Sequence, residues 1–169
     1  MGRVPAQDPR ERKSLFRRGF FWLAEQRVTG WIPIQIGNKV DPSLMRLTNG
    51  RVKLSAGFPT LLLTHKGAKS GKKRTTPLAY FTDEDNVVLI ASRSGTSRHP
   101  AWYHNVLANP DVELWASGHG GRYRAREAEG EQRERLWRDA TAFYPGFAKY
   151  QERAPDRRIP VVVCAPQDD

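Results

Sequence analysis

The chain has 169 residues, 38% hydrophobic and 27% charged, which is the length of one domain with apolar material for a packed core, and excludes a disordered tail. A formal net charge of +10 points to anionic partners: nucleic acid, an acidic membrane face or a polyanionic small molecule. Cys164 is the single cysteine, so an internal disulfide and a multi-cysteine metal site are excluded; no apolar run reaches the roughly 18 residues of a spanning helix, and the N-terminus lacks the apolar core of a secretory signal.

Residues 1–13 are polar, carry Pro5 and Pro9, and read as a flexible lead-in. Over residues 14–29, Phe16, Phe20, Leu23 and Arg27 fall at helical spacing behind Ser14 as N-cap. A basic helix with this aromatic face can dock on its own domain or lie in a membrane interface. Residues 30–57 hold Gly30, Pro33, Gly37, Pro42, Gly50 and Gly57 without a sustained period, and predict an irregular connection with one short helix near 42–47. Residues 1–57 are therefore one segment, and 58–169 the folded domain.

The domain opens with strands over 60–64 and 75–82 around a basic turn, then a second turn at 83–86 and a strand over 87–91. A loop of small residues, Ser94-Gly95-Thr96-Ser97, leads to His99-Pro100 and a helix ending near 109–110. Strands over 112–116 and 123–128 are joined through Gly118, Gly120 and Gly121. Residues 131–143 read as a helix, with Glu131 four residues before Arg135 and Leu136, Trp137 and Ala140 facing inward. Residues 160–165 close the sheet, with Cys164 as strand packing. Short strands without regular strand–helix alternation predict an antiparallel α+β domain, and a small barrel is the closure that removes exposed edges.

Three clusters carry chemistry. The first is the turn from Lys66 to Arg74, with five cations (Lys66, Lys69, Lys72, Lys73, Arg74) and no acid. Gly67-Ala68-Lys69-Ser70-Gly71-Lys72-Lys73 is not a P-loop: three residues separate its glycines, no Ser or Thr follows Lys72, and it leads into Thr75-Thr76-Pro77 instead of a helix. Glycine-bracketed backbone N–H groups with Lys69 and Arg74 still suit a phosphate or carboxylate; the plainer reading is a hairpin tip kept soluble by charge. The second runs from Ser92 and Arg93 through Trp102, Tyr103 and Asn105, a loop of hydroxyl residues entering a helix N-terminus, where anions are favoured. The third places Tyr144, Phe147 and Tyr150 three apart, able to line a slot for a flat substrate or simply to pack. His65, His99, His104 and His119 lack metal-binding spacing, and no G-x-S-x-G stands in the chain.

With these clusters in order, the chain resembles the deazaflavin-dependent nitroreductases, the coenzyme F-420 dependent quinone and nitro reductases of actinobacteria. The similarity covers about residues 58–166 and rests on LLLTHKGAKSGKKRTTPL, SRSGTSRHPAWYHNVLANPDVE, FYPGFAKYQ and RRIPVVVCAP. The resemblance implies a split β-barrel of about six strands that binds coenzyme F-420 and no metal. It implies that Lys69 and Arg74 hold the phosphate and acidic tail, that Gly67, Ala68, Ser70, Gly71, Thr76 and Pro77 form the adjoining wall, and that Ser92, Arg93, Trp102, Tyr103 and Asn105 lie along the cofactor. Tyr144, Phe147 and Tyr150 would border a quinone or nitro substrate, with Ser92, Tyr144 and Tyr150 as hydrogen-bond donors to it. Phe147 stands where nitro-drug-reducing members often have Tyr. A small polyanionic cofactor then accounts for the charge in place of nucleic acid. The resemblance also fits a cytoplasmic chain, with peripheral contact at the inner membrane face open through residues 14–29. The rivals are an FMN- or haem-binding barrel, a nucleic-acid module, and an idle deazaflavin or lipid carrier.

Overall fold

The structure is a computed structural model that describes residues 2–10 and 59–167. The helix expected over 14–29 and the connection over 30–57 lie outside the described residues.

Six antiparallel strands close into a barrel in the order β1-β2-β3-β6-β5-β4, with β4 returning to β1. They are β1 (Thr60–Lys66), β2 (Lys73–Asp83), β3 (Asn86–Ile90), β4 (Asp111–Ala116), β5 (His119–Glu127) and β6 (Val161–Pro166). Among the described residues, three helices flank them, α1 (Ala101–Ala108), α2 (Gly130–Phe143) and α3 (Gly146–Glu152), with a 3-10 turn at Arg93–Gly95. The α+β split-barrel expectation holds. Closure leaves no unpaired edge in the sheet.

Two apolar clusters explain why strands here differ in pattern. Leu61, Leu63, Tyr80, Val87, Leu89, Val112, Leu114, Tyr123, Val162 and Cys164 fill the barrel, and Trp102, Tyr103 and Val106 of α1 join them. Phe81, Val88, Val161 and Val163 face the other way, under Leu136, Ala140 and Phe143 of α2 and under Tyr144 and Phe147. β3 and β6 are thus covered on both sides, which is why they read as continuous apolar runs. Burial pushes the Cys164 thiol up to about 12, consistent with a packing role.

The N-terminus departs from expectation. Residues 2–10 are no flexible lead-in but a strap along the barrel. Val4 is buried, its N–H donating to the Tyr123 hydroxyl at 3.1 Å, and the Tyr80 hydroxyl donates to the Pro5 carbonyl at 3.0 Å. Gln7 exchanges backbone and side-chain bonds with Thr82 near the end of β2 away from the basic turn, and Arg10 pairs with Asp139 of α2 at 2.8 Å. Two phenols inside a barrel need partners, and the strap's backbone supplies them.

α3 is a second departure. No element is expected between the helix ending at Phe143 and the closing strand, yet the chain starts a new helix, Gly146–Glu152, so Phe147 and Tyr150 sit on a helix and Tyr144 at the end of the one before it.

Candidate functional site

The basic turn joins β1 to β2, whose register sets His65 opposite Arg74 and Lys66 opposite Lys73. Within the turn, the Gly67 N–H donates to Lys72 O at 2.9 Å and the Gly71 N–H to Gly67 O at 2.8 Å. The Ala68 N–H leaves the turn and donates to Asn105 Oδ1 of α1 at 2.9 Å. The wall expected from Gly67 to Gly71 is therefore narrower in donors than its length suggests: only the amides of Lys69 and Ser70 have no partner among the described residues. Of the cations, Lys73 is held by both oxygens of Glu113 at 3.0 Å, whereas Lys66, Lys69, Lys72 and Arg74 have no ion pair among the described residues. Unpaired cations beside open backbone amides fit a phosphate or carboxylate group. Thr76 and Pro77 follow on β2, half-buried opposite Leu63 and Leu62.

The second cluster is bent sharply. Arg93, Ser94 and Gly95 all take positive φ, at 45°, 55° and 75°. Left-handed backbone costs a side-chain-bearing residue roughly 1–2 kcal/mol, so something must hold this turn. That holder is Arg157, a buried guanidinium from the stretch between α3 and β6. It donates to Ala91 O at 3.1 Å, Ser92 O at 2.7 Å and Thr96 O at 3.0 Å, and meets His99 Nδ1 at 3.1 Å. Among the described residues no carboxylate pairs with it; carbonyl dipoles surround it, and desolvation draws its pKa downward. Arg93 itself is exposed and donates to His99 O at 3.3 Å.

On α1 the expected cofactor-lining residues separate. Trp102 and Tyr103 are both buried in the barrel core, and the Tyr103 hydroxyl donates to Glu127 at 2.5 Å. Burial and that carboxylate raise its pKa. Asn105 is half-buried, with its amide committed to Ala68 and, through Nδ2, to His65 Nδ1 at 3.3 Å.

The residues of the third cluster touch one another. Tyr144, Phe147 and Tyr150 meet edge to face at centroid distances of 5.2, 6.0 and 6.3 Å, and the two phenol oxygens lie 3.4 Å apart. Tyr144 and Phe147 are buried while Tyr150 is half-exposed, with Arg153 5.6 Å over its ring. Gly95 lies hard against the backbone of Tyr150, so the bent loop and the aromatic helix touch.

One continuous line of contacts results: basic turn to α1 through Ala68 and Asn105, α1 to bent loop through His99, bent loop to aromatic trio through Gly95. His99 and Gly95 of that line were not among the sequence candidates, nor were two residues that brace it, His65 behind Asn105 and Arg157 behind His99. His65 carried a signal, because a polar residue at the inward position after Leu61 and Leu63 breaks the alternation of β1. Arg157 carried none, since nothing in RRIPVVVCAP says which arginine turns inward.

The fold and this line of groups define a class first: a split-barrel protein whose basic turn, bent loop and aromatic trio are linked through α1. Comparison with known proteins gives the family. The chain belongs to the F420H(2)-dependent quinone reductase family, whose model matches residues 39–166. It is 38% identical over 120 residues to a Mycobacterium tuberculosis protein assigned by name to the F420H(2)-dependent quinone reductases, covering 69% of this chain and 100% of that one. An F420H(2)-dependent quinone reductase of the same organism is 34% identical over 144 residues, covering 80% and 96% of the two chains. A solved F420-H2 dependent reductase superposes with a TM-score of 0.58 at 43% identity, over 63% of this chain and 93% of that one. A solved structure described as a domain-swapped dimer gives 0.60 at 38% identity, over 75% and 96%.

Proposed function

We propose that the chain is a reductase that uses reduced coenzyme F-420 to reduce a quinone such as menaquinone. The observation that carries this is the line of contacts from a turn in which Lys66, Lys69, Lys72 and Arg74 have no ion pair among the described residues to an aromatic trio with two phenols. The cofactor, when bound, supplies a hydride equivalent; the chain's own groups bind, orient and donate protons. Lys69 and Arg74, with the Lys69 and Ser70 amides, hold the phosphate and acidic tail. Ser92 and Arg93 on the bent loop face the stretch between tail and ring. Trp102 and Tyr103 support that wall from the core and do not contact the ligand directly. Tyr144 and Tyr150 donate to the quinone oxygens, and a phenol at that position stabilises the developing oxyanion and relays a proton to it. Phe147 gives the slot its apolar wall.

The acceptor range extends in this reading to nitro compounds and activated alkenes, which share an electron-poor centre and an oxygen or similar acceptor for the phenols. A quinone with a lipid tail also favours a place at the inner, anionic face of a membrane, toward which a net charge of +10 is attracted. No helix among the described residues is long and apolar enough to cross a membrane.

Titration of the purified protein with coenzyme F-420, FMN and NADPH tests the assignment, followed by anaerobic turnover with a panel of quinones. Micromolar or tighter binding of coenzyme F-420 with quinone-dependent oxidation is the expected result. A tightly bound flavin or a Soret band in the absence of deazaflavin binding overturns it.

A further inference from the structure

Between β1, β2 and α1 lies a chain of hydrogen bonds that no role above absorbs. The Ala68 N–H donates to Asn105 Oδ1 at 2.9 Å, Asn105 Nδ2 meets His65 Nδ1 at 3.3 Å, and His65 Nε2 meets Thr76 Oγ1 at 3.2 Å. His65 is only 3% exposed. We propose that His65, in its neutral form, is a positioning residue that locks the basic turn to α1 through Asn105, and so sets the shape of the anion-holding turn. This rests on the reading of that turn as the cofactor's anchor.

The argument is one of donors and acceptors. Because Asn105 Oδ1 accepts from Ala68, its Nδ2 must donate, so His65 Nδ1 is the acceptor and carries no proton. The ring proton is then on Nε2, aimed at the Thr76 hydroxyl. A second proton on the ring sets Nδ1–H against the Asn105 NH2 group. Turning the amide over relieves that clash only by setting its NH2 group against the Ala68 N–H. One proton on His65 therefore breaks the link to the turn whichever way Asn105 faces.

The surroundings hold His65 neutral. From β2 the ring meets Thr76 and the charge of Arg74; from α1 it meets the neutral Asn105 amide. His104, next on α1, packs instead against His99 and Tyr103. On β4, Glu113 stands opposite Thr64 and is taken up by Lys73. The Lys66 backbone pulls the other way, favouring the protonated ring, and is outweighed. Burial, then the Arg74 charge, lower the His65 pKa below the usual histidine value.

The test is a nitrogen–proton NMR titration of the cofactor-free protein from pH 8 to 5, following the Ala68 amide, paired with coenzyme F-420 affinity over the same range. The Ala68 resonance is expected to titrate together with the His65 ring, and affinity to fall about tenfold across that transition, the loss of one charge-neutral hydrogen-bonded link. His65→Asn, whose side-chain oxygen can stand in for Nδ1 without titrating, is expected to abolish both pH-dependent changes. Asn105→Ala is expected to release Ala68 at every pH. An Ala68 resonance that ignores the His65 transition, or an Asn variant that keeps the pH dependence, overturns the proposal. If Ala68 follows His65 but coenzyme F-420 binds at no pH, the lock stands and the cofactor assignment falls.

Discussion

Gly95 sits so close to Tyr150 that a Cβ on it would lie 2.6 Å from the Tyr150 carbonyl oxygen and 2.9 Å from its Cα. Both are backbone atoms and cannot swing aside. Gly95→Ala must therefore push the bent loop and α3 apart, besides placing a side chain at a φ of 75°. We expect a loss of roughly 2–3 kcal/mol in urea unfolding and a fall in quinone turnover. Unchanged turnover in a folded variant would separate the loop from the slot.

The cations of the turn are not equivalent. Lys69→Ala and Arg74→Ala are each expected to weaken coenzyme F-420 binding about tenfold or more at low salt, less at high salt. Lys73→Ala is expected to change it little, because Glu113 already neutralises that lysine. Equal effects from all three would mean that overall charge, and not position, attracts the ligand.

Tyr150 is the half-exposed member of the aromatic trio. Tyr150→Phe keeps the ring contacts with Tyr144 and Phe147 and removes only the hydroxyl. Turnover is expected to drop about tenfold or more while cofactor affinity holds. An unaltered rate removes Tyr150 from the donors and leaves Tyr144.

Arg157→Lys preserves charge but replaces a planar fork by one ammonium that cannot span Ala91, Ser92 and Thr96 together. We expect roughly 2–3 kcal/mol of lost stability and a turnover defect larger than the binding defect, since the bent loop loses its holder. A variant as stable as the parent would show that the backbone keeps those left-handed angles unaided.

The strap can be tested through its one buried side chain. Val4→Asp places a carboxylate among Tyr123 and the barrel core and is expected to cost roughly 2–4 kcal/mol. Removal of residues 2–10 should lower the melting temperature in the same direction, by leaving the Tyr80 and Tyr123 hydroxyls without Pro5 and Val4. No thermal shift in either variant would return the strap to the status of a surface tail.

What the sequence made legible was local. Apolar and β-branched runs bounded by turn residues marked the strands, and the basic turn marked β1 and β2 as neighbours. β5 was read four residues late, because His119-Gly120-Gly121-Arg122 offers no apolar alternation; Gly120 is there for close approach, a Cβ lying 2.5 Å from Leu114 O. α3 was hidden behind Pro145-Gly146, whose residues resemble a stop. The strap was missed because its partners, Tyr80 and Tyr123, stand 75 or more positions away, where no local pattern reaches. The same distance hid Arg157, which acts on carbonyls 61–66 residues earlier in the chain.

The three consecutive left-handed residues have one more consequence. Arg93, Ser94 and Gly95 are held in that shape by the chain's own Arg157, which bonds carbonyls on both sides of the bend. Folding has therefore already met the cost of the bend. Under the proposed function, a ligand lying along this loop gives up little of its binding energy to ordering it, so association should proceed as a docking step without a slow rearrangement here.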